Sequence, residues 1–336
     1  RGVALGSTGM DTTAVLLATA LASCLGTLCM AFMANLPFAL SAGMGLNAFM
    51  AYTVVAGYGY SWQVALLAVF IEGLIFIVLS LTNIREAIFN AIPLTLKKGV
   101  SVGIGLFIAF IGLQNSGLCV DSATLVGIIS FPENFHTAGI CALLTLIGLF
   151  FTAVFYTRKM KGAILYGILL TWILGMLCQV TGLYVPTPDA GFYSLFPSWG
   201  MTDFSKLGLT FGQCFNVDFS AVGIVNFIVV IFSFLFVDIF DTLGTLIGVA
   251  TKAKMLDKDG KLPGIKPALL ADSIATSAGA ILGTSTTTTF VESASGVAVG
   301  GRTGLTALVT GILFLVSTLF APIFTAIPSF ATAPAL

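Results

Sequence analysis

The chain has 336 residues, 57% of them hydrophobic and 8% charged, with zero formal net charge and a mean hydropathy of +1.06. Soluble domains carry roughly 25% charged residues. The composition therefore excludes a soluble domain and points to an all-α polytopic membrane protein.

A membrane span needs about 20 apolar residues. Spans are expected at 11–34, 37–57, 62–82, 92–117, 135–156, 162–183, 219–250, 267–283, 284–300 and 302–327, and a further apolar segment opens at Phe330. The second of these begins with a polar, helix-breaking stretch, Pro37 to Asn47, reading PFALSAGMGLN. Lipid cannot hydrogen-bond an exposed backbone, so irregular main chain at membrane depth is confined to protein interior or to the wall of a watery cavity. Gly43 and Gly45 permit close backbone approach there. Asn47 stands where a helix resumes and offers both a donor and an acceptor, suited to a heterocycle edge; a plain helix cap is the alternative.

Glu72 follows in the next span, in FIEGLIF, among bulky apolar residues that assign it no role. The connector from Tyr184 to Asp218, rich in Pro and aromatic residues, reads as an outside loop, and His136 as a solvated side chain in another. Asp238 and Asp241 lie in VDIFDTLGTL at a spacing that puts both carboxylates on one helical face, with Thr242 and Thr245 extending the polar stripe. The string DTLG is like the loop of aspartic proteases, but it sits in an apolar helical run without a partner copy. Asp272, in LLADSIATSAG, has Ser273, Thr276 and Ser277 close by and reads as a hydrogen-bond hub or a proton-path residue.

The second break is Thr284 to Glu292, TSTTTTFVE. β-Branched residues resist helix and favour extended backbone, and Ser293 to Gly296 then let a half-helix begin. Glu292 thus falls near a helix N-terminus, where free amides favour an anion or polar ligand. Two such breaks, one in each half, are the mark of a secondary transporter with its substrate between half-helices.

Of 14 Lys and Arg residues, 12 fall in four short connectors: Arg85, Lys97 and Lys98; Arg158, Lys159 and Lys161; Lys252, Lys254, Lys258, Lys261 and Lys266; and Arg302. The positive-inside rule places these connectors in the cytoplasm. No cation is expected in a span near the five acids, so ion pairing does not account for them, although a mid-membrane carboxylate costs about 2.5–3.5 kcal/mol. A carboxyl able to hold a proton suits proton-coupled transport. The six cysteines show no metal spacing and read as packing residues. Arg1 in place of a starting Met, and Leu336 inside an apolar segment, read as a fragment.

PFALSAGMGLNAF, FVDIFDTLGTL, LLADSIATSAGA and TSTTTTFVESASGVAVGGRTGL together resemble the AzgA-like purine permeases, the adenine, guanine and hypoxanthine branch of the nucleobase–cation symporters, akin to xanthine and uracil permeases. The resemblance runs over essentially the whole chain. It implies an inverted seven-span repeat with core and gate domains, of which this chain would hold about spans two to twelve of fourteen. The implied division is 1–84 and 219–327 for the core, 85–218 for the first gate segment, and 328–336 for the start of the second. It further implies that Asp238 and Glu292 contact the purine and that Asn47 shapes the same site. Asp241 and Asp272 would support the site and the proton path. Phe49 and Phe290, near the breaks, are candidates for stacking on the ring, and Ser293, at the start of the second half-helix, is a further candidate for substrate binding. The expected partners are a purine nucleobase, a proton, the lipid bilayer and a second copy of the chain, with no nucleic acid. No cofactor, metal or enzymatic activity is expected.

Three other readings bear comparison. A small-anion transporter could share the architecture, but two carboxylates at the site oppose it; another nucleobase, xanthine or uracil, would keep it. An intramembrane aspartyl hydrolase would need YD and GxGD contexts, which the sequence lacks.

Overall fold

A computed structural model describes residues 9–82, 84–91, 93–122, 125–188, 191–197, 200–219, 222–257 and 262–335. The expected connector charges at Lys258 and Lys261, the side chains of Lys97, Lys98 and Lys252, and both chain ends at Arg1 and Leu336 lie outside the described residues.

Helix α1, Thr12–Cys29, starts at Asp11, whose carboxylate accepts the amides of Thr13 and Ala14 at 2.9 and 3.0 Å. It runs into a π-helical turn, Met30–Ala34, and stops at Asn35 in the left-handed conformation (φ 52°). Strand β1, Leu40–Ala42, comes next. The half-helix α2, Met44–Ala48, continues in π-helical form over Phe49–Gly57. Helix α3, Trp62–Leu81, is capped by Ser61. A short amphipathic helix, α4 (Ile84–Ala91), stands where only a connector was expected, and α5 covers Leu94–Asn115. A hairpin of β2 (Cys119–Ser122) and β3 (Leu125–Ile128) follows, which no periodicity announced.

Helices α6 (Ile140–Thr157) and α7 (Ala163–Val180) precede the long loop. The second half holds α8 (Ile224–Ala253), α9 (Ile265–Leu282), β4 (Thr287–Thr289), α10 (Ser293–Ala298) and α11 (Gly304–Ser317). Among the described residues seven helices are long and apolar enough to cross a membrane. The stretch 284–300, expected as a span, is instead a three-residue strand and a six-residue helix. Its β-branched run holds extended backbone, and too few helical residues remain to cross.

The chain forms two compact units. One is built from Arg1–Ile104 and Met201–Ala321, the other from Gly105–Gly200 and Pro322–Leu336. In the first, α9 packs closely on both α1 and α3 because glycines face it: a Cβ on Gly26 would fall 2.5 Å from that of Ala275, and one on Gly73 would lie 2.8 Å from the Ser277 amide nitrogen. Leu40, Leu246, Leu269 and Ala275 share one buried apolar cluster; Leu46, Val69, Phe76 and Phe234 share another. In the second unit Ile140, Leu144, Trp172, Leu195 and Phe330 form the core. There the Trp172 indole N–H donates to the Leu195 carbonyl at 2.9 Å, so its polar edge is satisfied where its ring is buried.

Candidate functional site at the paired helix breaks

Both breaks belong to the first unit, and they meet. Strands β1 and β4 pair antiparallel with Leu40 opposite Thr289, Ser41 opposite Thr288 and Ala42 opposite Thr287. The ladder is extended by Phe290 N–H to Ala39 O (2.8 Å) and Gly43 N–H to Thr286 O (3.2 Å).

A two-stranded sheet has two open edges, and at membrane depth an unpaired edge group costs several kcal/mol. Side chains of α1 and α9 close these edges. The Thr27 hydroxyl takes the Leu40 amide at 2.9 Å and lies 3.2 Å from the Leu40 carbonyl. On the other side Thr276 donates to the Thr287 carbonyl at 2.9 Å, and Asp272 Oδ1 accepts the Thr289 amide at 3.0 Å. Ser23 donates to Ser41 at 2.8 Å. The threonine and serine enrichment around the breaks is thus an edge-capping device.

The acids fall into two groups. Asp272 and Asp238 are fully buried beside Arg85, itself 2% exposed. Arg85 Nη2 donates to Asp272 Oδ2 at 2.8 Å and lies 3.5 Å from Asp238 Oδ2; Nη1 donates to the Leu269 carbonyl at 3.0 Å and to Ser273 Oγ at 2.9 Å. The guanidinium carbon sits 4.0 Å from the centre of the Phe76 ring. Thr242 Oγ1 lies within 3.2 Å of carboxylate oxygens of both aspartates and 2.7 Å from Thr288 Oγ1. The expectation that no cation lies near the acids is therefore wrong. Following a span, Arg85 reads in the sequence as one of the cytoplasmic connector charges, but α4 turns its side chain into the protein. No local sequence signal separates an arginine at a span end that faces water from one that faces the core.

Glu72 is also fully buried. Its Oε2 accepts the Thr286 hydroxyl at 2.9 Å, which gives it a place at the foot of the second break. Asn47 Oδ1 accepts the Ser285 hydroxyl, tying the first half-helix to the start of the same break. Ser293 Oγ accepts the Ala39 amide at 3.0 Å, so this oxygen fastens α10 to the approach to β1.

Asp241 and Glu292 are only partly buried, as are Asn47, Phe290 and Ser293. The Asp241 carboxylate lies over the start of α2: a Cβ on Gly43 would be 3.3 Å from its Oδ2. Glu292 is the residue immediately before α10, as the sequence placed it. Phe49, also partly buried, meets Phe234 edge-on with ring centres 4.9 Å apart and packs against an apolar cluster. The structure thus gathers Asn47, Asp241, Phe290, Glu292 and Ser293 at the paired breaks. Asp238 and Asp272 sit in a charged layer with Arg85, and Phe49 packs against the apolar cluster that holds Phe234. Among the described residues no group of His, Cys, Asp and Glu could hold a metal ion.

Residues 2–336 match the permease family Xan_ur_permease. Relatives include a putative permease of Methanocaldococcus jannaschii, 47% identical over 99% of this chain and 71% of its own length. The guanine/hypoxanthine permease PbuG of Bacillus subtilis is 48% identical over 97% and 70%, and the adenine permease AdeQ of Escherichia coli 39% identical over 99% and 70%. Among solved structures, the transmembrane domain of the cyanobacterial bicarbonate transporter BicA superposes with a TM-score of 0.63 at 16% identity, covering 99% of this chain and 81% of that one. SLC26A9 superposes with a TM-score of 0.52 at 13% identity, covering 99% and 53%. These two show a shared transporter fold. With its apolar helices and a family match over residues 2–336, the chain is a multi-pass membrane protein that belongs to the permease family Xan_ur_permease.

Proposed function

We propose that this permease imports purine nucleobases (hypoxanthine, guanine or adenine) across the cytoplasmic membrane by alternating access. The unit that holds both breaks acts as the substrate-carrying core of an inverted repeat, and the other unit acts as the gate. The observation that carries this reading is the meeting of two helix breaks beside partly open carboxylates, in a chain 48% identical to a guanine/hypoxanthine permease and 39% identical to an adenine permease.

A purine presents ring N–H donors, which carboxylates accept, and carbonyl or ring-nitrogen acceptors, which amide groups can serve. Asp241 and Glu292 are the acids we place against the base, with Asn47 on its edge and Phe290 against its face. Asp238, buried at the guanidinium, acts from behind. Proton symport is part of the proposal: a proton taken from outside by one of the acids travels inward with the base and is released before the empty core returns, which couples transport to the pH gradient. A proton uncoupler should then abolish accumulation.

The binding test is a panel of adenine, guanine, hypoxanthine, xanthine, uracil and bicarbonate against the purified protein, read as a thermal shift. A ligand that binds only the folded state stabilises it by about 2.7 kcal/mol at a hundred times its Kd. The three purines should shift the midpoint, and bicarbonate should not. A shift by bicarbonate alone would favour the small-anion reading, which rests on fold likeness to BicA.

A further inference from the structure

We infer that Arg85 is a positioning residue of the transport site, acting through Asp272 on strand β4 and thereby on Glu292; the inference rests on the proposed nucleobase function. Three observations build it.

The first is where the Thr289 amide points. The next amide, Phe290 N–H, faces β1 and bonds Ala39 O, so alternation in an antiparallel ladder turns Thr289 N–H to the opposite edge. Asp272 supplies the acceptor there, 3.0 Å away. Thr289 is three residues before Glu292, so this bond fixes the strand from which the site carboxylate departs.

The second is what holds Asp272. Both its oxygens are engaged, Oδ1 by the amide and hydroxyl of Thr289 and Oδ2 by Arg85 and Thr242. A fully buried carboxylate in that role needs a counter-charge, and Arg85 is its ion-pair partner among the described residues. The third is that Arg85 is itself fixed on all sides. Its two terminal nitrogens reach Asp272, the Leu269 carbonyl and Ser273, and its plane lies on Phe76. A planar fork can hold these partners at once, whereas a lysine ammonium cannot span them.

Asp238 completes the arrangement. Its Oδ2 has no hydrogen-bond partner among the described residues and lies 3.5 Å from Arg85 Nη2. One guanidinium therefore faces two carboxylates, bonded to one and in reach of the other. Removing Asp272 would free Arg85 to close on Asp238; removing Arg85 would leave both acids facing each other.

The test compares wild type, Arg85→Gln, Arg85→Lys and the double variant Arg85→Gln/Asp272→Asn. Uptake of radiolabelled hypoxanthine, adenine and guanine is measured per molecule of folded, surface-exposed carrier, with KM and maximal rate separated. Misplacing a site group by about 1 Å costs on the order of 100-fold. Arg85→Gln should therefore raise KM, and uptake per folded molecule should fall by a factor of that order. The double variant should recover at least about tenfold of this. Its charges are removed together, and the side-chain carbonyl introduced by Asp272→Asn would still accept the Thr289 amide. Arg85→Lys should fall between.

Equal KM and rate per folded molecule in Arg85→Gln would overturn the inference and leave Arg85 a folding residue only. So would a double variant no better than the single one. If Arg85→Gln does not accumulate, the double variant and Arg85→Lys, which keep the charge balance, carry the same KM comparison. If wild type takes up none of the bases, the nucleobase reading has failed by itself. The thermal midpoints of the four proteins then still test the pairing, with the double variant expected above the Arg85→Gln single.

Discussion

Asp272 on α9 accepts the main-chain amide of Thr289 on β4 at 3.0 Å, at an edge of a buried two-stranded sheet. This bond joins a full-length helix to the break in another, and it is made by the same carboxyl that holds Arg85. Replacing Asp272 by Ala would orphan the Thr289 amide and take from Arg85 the carboxylate it is bonded to, leaving it Asp238 in reach. The expected loss is about 3–5 kcal/mol, as when one partner of a buried pair is removed. It should appear as a protein that fails to give a monodisperse peak in detergent. Asp272→Asn keeps an acceptor for the amide and should lose less.

Thr27 closes the other edge of the sheet, through the amide and carbonyl of Leu40. Thr27→Val has nearly the same shape but no hydroxyl, so two buried backbone groups lose their partner. A cost of about 1–3 kcal/mol follows from one unsatisfied buried group, read as a lower midpoint of thermal unfolding. Ser23→Ala, which removes one contact between hydroxyls, should cost less.

Gly43 is where Asp241 meets the first break. A methyl group there would stand 3.1 Å from the Thr288 methyl and 3.3 Å from Asp241 Oδ2. Gly43→Ala should leave folding nearly intact but push Asp241 from its place, raising KM for purine several-fold at unchanged surface amounts.

At the membrane surface, Asp11 caps α1 and meets Lys206 at 3.2 Å. Partial burial raises its pKa, but the Ala14 and Thr13 amides and the lysine outweigh this and hold it below its ordinary value of 3.8. The sign follows: the cap contributes stability above that ordinary value and loses it as the pH falls through the lower folded value. Asp11→Asn, still able to cap, should match wild type in acid and fall below it by about 1 kcal/mol or less near neutrality. Thermal midpoints across the acid range check this.

The long spans were legible because twenty apolar residues leave few alternatives. The stretch expected at 62–82 is the helix Trp62–Leu81, and that expected at 162–183 is Ala163–Val180. Both breaks were legible from Pro37, the glycines and the threonine run. Their pairing was not, because register between strands about 250 residues apart is set by tertiary packing and leaves no local trace. The burial of Arg85 was hidden for the same kind of reason, since it depends on α4, whose eight residues read as connector. Asp238 and Asp241 were grouped by helical spacing, yet one is fully buried and the other partly open. A difference of three positions turns a side chain by about 60°, enough to move it from the charged layer to the site.

The most direct test of the account is saturable uptake of radiolabelled hypoxanthine by cells lacking their own purine carriers, with wild type and Glu292→Ala at matched surface amounts. Wild type is expected to take up hypoxanthine, and Glu292→Ala to lose that uptake while still folded. Uptake by Glu292→Ala equal to wild type would contradict a nucleobase site at the paired breaks.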